Sequence, residues 1–149
     1  MNNTKFPNRI KNLRNYLHEE KIDAIIISNE ENRFYFSGLR SSAGYLFVTL
    51  NDLYLCTDFR YTELAISQAP GWTIERINSR FDWLPKIIKD CKISTLAFEA
   101  EFTTVNTHKF LESTINNSNL KISLIPTSDI AMKFRAIKDE EEINLLMKA

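Results

Sequence analysis

Apolar and polar residues follow one another along the chain with two spacings, one typical of helices and the other typical of strands. Ile10, Leu13 and Leu17 recur at helical spacing, which predicts an amphipathic helix over residues 7–20. Residues 23–27 form a short continuous apolar run, typical of a strand that is covered on both faces. Further helices are predicted over residues 60–68, 82–89, 104–114 and 128–135, strands over residues 45–49, 53–56, 72–77, 95–98 and 122–125, and a short helix or turn over residues 32–36.

The order of these elements predicts the class of fold. The strands at 45–49 and 53–56 are separated by Asn51 and Asp52, two turn-forming residues, and this spacing indicates a hairpin. After the hairpin, strands alternate with helices. We therefore predict an α/β domain with three layers, α/β/α, built around a mixed sheet.

The last stretch, residues 135–149, opens an amphipathic helix with an acidic first turn, which suits the positive end of the helix dipole. Ile143, Leu146 and Met147 mark one apolar face, and no Gly, Asn or Pro stop signal follows them. An apolar face without a partner indicates that residues are missing. We therefore expect this chain to be the front part of a longer protein.

Composition narrows the classes of partner and compartment. The chain has 19 basic and 19 acidic residues in 149, and this balance gives no electrostatic case for nucleic acid or a membrane surface. Cys56 and Cys91 are too few for a disulfide scaffold, and Cys56 lies in an apolar run typical of a buried free thiol. Without a signal peptide or a membrane-spanning run, we expect a cytoplasmic protein.

Most motifs that carry chemistry are absent or incomplete. Three glycines in no phosphate-binding arrangement argue against a nucleotide site. His18 resembles the start of a zinc-binding helix, but Ile22 occupies the second histidine position. We expect His18 and His108 to be surface residues, and Cys56 to be a structural thiol because no histidine lies near it in the sequence.

Four carboxylates lie near predicted strand ends, where a nuclease of the ribonuclease H type holds two metal ions. The simpler interpretation is structural. Asp23 enters a strand, Asp58 suits a helix cap, and Glu99 and Glu101 precede a helix where carboxylates are favoured. Without a basic channel for the substrate, we prefer the structural interpretation.

A small-residue loop within residues 35–44 is the first segment that fits a functional role. It can present Arg40 to a carboxylate, with Phe36 or Tyr35 as an apolar wall. The alternative is a turn in which the glycines permit the backbone path and the arginine is solvated.

The second such segment is residues 57–61. Here Asp58 or Thr57 can cap the following helix, while Arg60 and Tyr61 face a partner surface. Capping with a solvated arginine is the alternative.

Both segments also belong to a longer ordered pattern. Six motifs stand in order along the chain: Arg9-Ile-x-x-Leu-Arg14, Ile22-Asp-Ala24, Asn32-x-x-Tyr-x-Ser-Gly38, Ser42-Ala-Gly44, Thr57-Asp-x-Arg-Tyr61 and Arg135-x-Ile-Lys-Asp-x-Glu-Glu-Ile143. Together they resemble the N-terminal domain of the creatinase, prolidase and aminopeptidase P group of metallopeptidases. The departures are Phe36, where leucine is common, and Ala97, where glycine is frequent.

The resemblance implies a ribonuclease-H-like fold for an N-terminal domain over residues 1–136. It implies that residues 137–149 begin the first helix of a catalytic domain, which in the family holds two divalent metal ions. We expect the metal ions of the catalytic domain to be Mn, Co or Zn. We expect no metal and no catalytic residue in this chain. The parent protein is expected to hydrolyse Xaa-Pro bonds.

The resemblance also implies roles for residues and partners. Phe36 and Arg40 are expected to face the substrate, and Arg60 and Tyr61 to lie at an interface. The expected partners are the catalytic domain of the same protein, a second copy in a homodimer, and proline-containing peptides. Two alternatives stay open: a peptidase-like binding module without catalysis, and a creatinase-like hydrolase that needs no metal.

Overall fold

A computed structural model describes residues 3–130, 134, 146 and 147 of the chain. These residues form a six-stranded sheet with helices on both of its faces. The elements, in chain order, are α1 (Pro7–Glu19), β1 (Ala24–Ile27), α2 (Glu30–Ser37), β2 (Tyr45–Thr49), β3 (Leu53–Thr57), α3 (Thr62–Gln68), β4 (Thr73–Arg76), α4 (Leu84–Cys91), β5 (Thr95–Glu99), the short 3-10 helix Ala100–Phe102, α5 (Val105–Asn117) and β6 (Ser123–Thr127).

The sheet is mixed, with the strand order β4-β3-β2-β1-β5-β6. Strand β2 runs antiparallel to both of its neighbours, β1 and β3, and completes the predicted hairpin with β3. The other pairs, β1 with β5, β3 with β4, and β5 with β6, are parallel. Five strands therefore end at the same edge of the sheet, which we call the carboxyl edge.

Alternate residues of the central strands pack into two separate hydrophobic cores, one on each face of the sheet. Ile25 and Ile27 of β1 face the layer formed by α1, α2 and α3, whereas Ala24 and Ile26 face α4 and α5. All four residues of β1 are buried, as the continuous apolar run predicts. Each fully buried isoleucine or leucine in these cores contributes about 1.5–3 kcal/mol of stability. The predicted three-layer α/β/α architecture is confirmed.

All five α-helices begin and end within three residues of the sequence prediction, but the predicted cap of α3 differs. The cap predicted at Asp58 or Thr57 is wrong: α3 begins at Thr62 after Tyr61, and no side chain caps it. Asp58 instead accepts a hydrogen bond from the backbone N–H of Arg60, in a turn before the helix. Because the carboxylate of Asp58 accepts a hydrogen bond in this turn, it does not accept one from the N–H groups in the first turn of α3.

Two predictions concern the end of the chain. Of the helix predicted over residues 128–135, Ile130 and Phe134 are helical. The join and apolar face predicted over residues 135–149 lie outside the described residues, apart from the exposed Leu146 and Met147.

Candidate functional site

Polar residues gather at the carboxyl edge of the sheet, where parallel strands of α/β proteins usually present their ligand sites. The loop of residues 38–44 lies at this edge because it leads into β2, the strand that runs the opposite way. Segment 57–61 lies there because β3 ends at Thr57. The topology therefore brings together the two segments that the sequence singled out.

Glycines and one serine determine the path of the loop. Gly38 ends α2 in the left-handed conformation with φ of 84°, and its N–H bonds Phe34 O. Ser37 Oγ donates to Arg33 O and accepts from the N–H of Leu39. Gly44 has φ of 135°, and a Cβ there would lie 2.7 Å from Cys56 O, so only glycine fits.

Arg33 of α2 is hydrogen-bonded to the loop of residues 38–44. It is 6% exposed, and its Nε donates to Ser28 O at 3.0 Å. Its Nη1 donates to Ser41 O at 3.2 Å and to Ser41 Oγ at 2.9 Å. Burial lowers the pKa of this guanidinium. The sequence analysis missed Arg33, because the helical period alone does not tell a buried arginine from a solvated one.

Arg40 and Phe36, the two residues predicted to face the substrate, lie in different environments. Arg40 is half-exposed, pairs with Glu31 at 3.1 Å, and lies 4.2 Å above the ring of Phe34. Phe36 is 0% exposed and packs edge-on against Tyr35 within the core. Only Arg40 is therefore open to a ligand in this structure, and both roles stay predictions.

Arg60 and Tyr61, the predicted interface residues, are at the surface beside the loop. Arg60 Nη2 donates to Asp58 Oδ2 at 2.7 Å, and hydrogen bonds from Arg60 lower the pKa of Asp58. The hydroxyl groups of Tyr61 and Ser42 lie 2.8 Å apart in a hydrogen bond, which joins the two segments. The exposed ring of Phe59 lies next to them in sequence. The interface role stays a prediction.

Glu99 links β5 to β1 and α2. Its Oε1 accepts the N–H groups of Ser28 at 2.7 Å and Asn29 at 2.9 Å, and its Oε2 accepts from Asn32 Nδ2 at 2.6 Å. The sequence analysis took Glu99 for a carboxylate that favours a following helix. Its real partners come from about 70 residues earlier, so no local pattern could have identified this role.

Comparison with known proteins identifies the family to which this chain belongs. The sequence model of the creatinase/prolidase N-terminal domain matches residues 9–137. The chain belongs to the creatinase/prolidase N-terminal domain family. An uncharacterised peptidase of Bacillus subtilis, YqhT, is 30% identical over 142 residues, which are 95% of this chain and 39% of that protein. The chain spans 36–39% of the length of the curated relatives it matches.

Solved structures place the creatinase/prolidase N-terminal domain in two contexts. An Xaa-Pro dipeptidase from Bacillus anthracis is 31% identical with a TM-score of 0.84, and the match covers 95% of this chain and 39% of that one. The N-terminal domain of the cytoplasmic peptidase PepQ from Mycobacterium tuberculosis is 27% identical with a TM-score of 0.79. That match covers 86% of this chain and 98% of the PepQ domain, so the same fold has been solved as a separate domain.

The carboxylates of this family member do not assemble into a metal site within the part of the chain that the structure describes. No group of three or more His, Cys, Asp or Glu side chains lies together there. Asp23 is at the opposite edge of the sheet, where it accepts the N–H groups of Ser94 and Thr95. The described residues therefore do not fit a metal centre. No described helix is long and apolar enough to cross a membrane.

Proposed function

We propose that this chain works as the N-terminal, non-catalytic domain of an Xaa-Pro peptidase. The observation that carries the proposal is the family match over residues 9–137, together with relatives that are named Xaa-Pro dipeptidase and PepQ. Hydrolysis would take place in a separate catalytic domain, which begins after residue 136 and holds two divalent ions, Mn, Co or Zn. We assign the protein to the cytoplasm, in line with PepQ.

In this proposal the domain narrows the entrance to the catalytic site. Arg40 supports this role, because it is half-exposed on a loop whose backbone is fixed from both sides. Its guanidinium already pairs with the carboxylate of Glu31, a group of the same class as a peptide's C-terminal carboxylate. Phe36 would support the loop from the core side and would reach a substrate only if it left the core.

Arg40→Ala in the full-length protein tests the substrate-facing role. Loss of a charged hydrogen-bond donor should raise the KM for an Xaa-Pro dipeptide about 10- to 100-fold with kcat nearly unchanged. Arg76→Ala is the matched control, since Arg76 is an exposed arginine at the same edge. Equal KM values for the Arg40 variant, the control and the wild type would refute the role of Arg40.

Arg60 and Tyr61 are proposed to contact a second copy of the chain in a homodimer. Arg60→Ala combined with Tyr61→Phe should weaken the dimer, because the change removes an exposed cation and a hydroxyl from the proposed interface. Sedimentation of the full-length protein over a range of concentrations measures the dissociation constant. The interface assignment fails if this double variant and the wild type dissociate alike.

A further inference from the structure

Helix α2 provides both of the interactions that the structure describes for the side chain of Arg40. The guanidinium pairs with the carboxylate of Glu31 at 3.1 Å and lies 4.2 Å above the ring of Phe34. The next residue of the loop, Ser41, accepts hydrogen bonds from Arg33 of the same helix through its carbonyl and its hydroxyl. The position of α2 therefore determines the position of Arg40.

Helix α2 is short and is capped at both ends. At its start the side chain of Asn29 accepts a hydrogen bond from the N–H of Asn32 at 3.0 Å. At its end the N–H of Gly38 donates to Phe34 O at 2.8 Å. The eight residues of α2 span about 12 Å, and no residue between the caps breaks the helix. A displacement at one end of α2 is therefore transmitted to the other end.

The same helix is bonded to the segment through which the chain leaves the domain. The buried Tyr35 of α2 donates a hydrogen bond from its hydroxyl to Phe134 O at 3.1 Å, across 99 positions of the sequence. The ring of Phe134 meets the ring of Tyr16 of α1 edge-on, with 6.4 Å between the ring centroids. Phe134 lies just before residue 137, where the match to the family model ends. The contact of Tyr35 therefore joins α2 to the start of whatever follows in a longer protein.

Helix α1 holds the backbone of the same tyrosine. Arg9 Nη1 donates to Tyr35 O at 2.8 Å, and the guanidinium of Arg9 lies 4.2 Å above the ring of Tyr35. Tyr35 is thus bonded through its carbonyl to α1 and through its hydroxyl to the exit segment. Its side chain is the described link between this segment and the helix that carries the partners of Arg40.

We propose that Tyr35 is a positioning residue for substrate recognition. Through α2 it holds Arg40 at a fixed place relative to the point where the chain continues toward the catalytic domain. Tyr35 touches no substrate in this role and acts on the carboxylate of a bound peptide only through Arg40. The inference rests on the proposed peptidase function and adds a second residue to the recognition of the peptide.

Tyr35→Phe in the full-length protein tests the role with a small change, because the buried ring remains and only the hydroxyl is lost. The KM for an Xaa-Pro dipeptide should rise about 3- to 10-fold with kcat nearly unchanged. Tyr16→Phe is the matched control. The ring of Tyr16 packs on the same Phe134, and its hydroxyl makes no hydrogen bond within the part of the chain that the structure describes. A KM for Tyr35→Phe equal to that of the control would overturn the proposal.

A double-mutant cycle with Arg40→Ala separates positioning from a general loss of stability. If Tyr35 acts through Arg40, adding Tyr35→Phe to Arg40→Ala should raise the KM no further, because the same contact cannot be lost twice. Effects of the two substitutions that multiply would show that Tyr35 acts by another route, and would reject the role.

Hydrogen exchange of the 149-residue chain tests the link without any activity. The N–H of Gly38, bonded to Phe34 O, reports how firmly the end of α2 is held. Its exchange should be about 3- to 10-fold faster in Tyr35→Phe than in Tyr16→Phe. Equal rates would reject the link. The expected difference in exchange, together with a wild-type full-length protein that does not cleave the dipeptide, would instead reject the proposed peptidase function.

Discussion

Glu99 and Arg33 bring opposite charges beneath the carboxyl edge, yet each is satisfied by neutral groups. Glu99 accepts hydrogen bonds from the N–H groups of Ser28 and Asn29, which lie between β1 and α2. Arg33 donates hydrogen bonds to oxygen atoms of Ser28 and Ser41. Ser28 contacts both residues, through its N–H and its carbonyl. These two side chains therefore connect β1, β5, α2 and the loop of residues 38–44 into one unit.

Glu99→Gln should destabilise the domain by about 2–3 kcal/mol, because an amide NH₂ would replace an oxygen that accepts a hydrogen bond in a buried position. Urea unfolding followed by circular dichroism measures this free energy. Glu101→Gln is the control, because Glu101 is exposed and its described hydrogen bond comes from the N–H of Asp129. This substitution should lower the free energy of unfolding by less than about 1 kcal/mol. Equal losses for both variants would contradict the structural role of Glu99.

Asp23 should make stability depend on pH. Hydrogen bonds from Ser94 and Thr95 lower its pKa below the ordinary 3.8. Because the folded pKa is the lower one, the contribution of the charge is complete above the unfolded value and disappears as pH falls through the folded value. The stability gap between wild type and Asp23→Asn should therefore stay constant above pH about 5 and narrow as the pH falls below about 4. A gap that stays the same at every pH would argue against this role of Asp23.

The two cysteines should differ in reactivity. Cys56 is buried, and burial raises its pKa well above the usual thiol range, whereas Cys91 is partly exposed. A thiol reagent at neutral pH should modify Cys91 first and reach Cys56 only when the protein opens. Mass spectrometry of a labelling time course distinguishes the sites. Faster modification of Cys56 would show that the strand β3 is not packed as described.

At the level of elements, the loop of residues 38–44 depends on backbone conformations that most residues avoid. Gly38 and Gly44 both have positive φ, at 84° and 135°. A Cβ at Gly38 would meet the flexible side chain of Lys5, whereas a Cβ at Gly44 would meet the backbone carbonyl of Cys56. The two positions therefore differ in how far their surroundings can adjust.

Gly38→Ala should cost about 1 kcal/mol of stability, and Gly44→Ala about 3 kcal/mol, because only the second variant forces a strand to move. Chemical unfolding of both variants measures the difference, and each serves as the control for the other. The described path of the loop would be wrong if Gly44→Ala were the milder change.

The sequence predicted those features of the helices and strands that depend on residues close together along the chain. Local patterns predicted all six strands and the helices α1, α3, α4 and α5, and two turn residues predicted the β2–β3 hairpin. A short helix or turn was predicted where α2 lies, and the 3-10 helix was not predicted. The start of α3 was wrong because Asp58 has two competing local partners, the turn and the helix. The contacts of Glu99 were not predictable, because they depend on which strands become neighbours, and those of Arg33 depend on the path of the loop of residues 38–44.

At the scale of the whole molecule, the sheet topology decides where function can be located. One antiparallel strand, β2, returns the chain to the carboxyl edge, so that the loop of residues 38–44 meets the segment 57–61. Both segments are held by the sheet, and no group of three or more His, Cys, Asp or Glu side chains lies together in the part of the chain that the structure describes.

The most direct test of this account measures proline release from an Xaa-Pro dipeptide in the presence of Mn²⁺. The assay compares the 149-residue chain alone with the full-length protein that contains it. We predict no turnover by the chain, and turnover by the longer protein that a chelator abolishes. Turnover by the chain alone, none by the longer protein, or activity that resists the chelator would contradict the account.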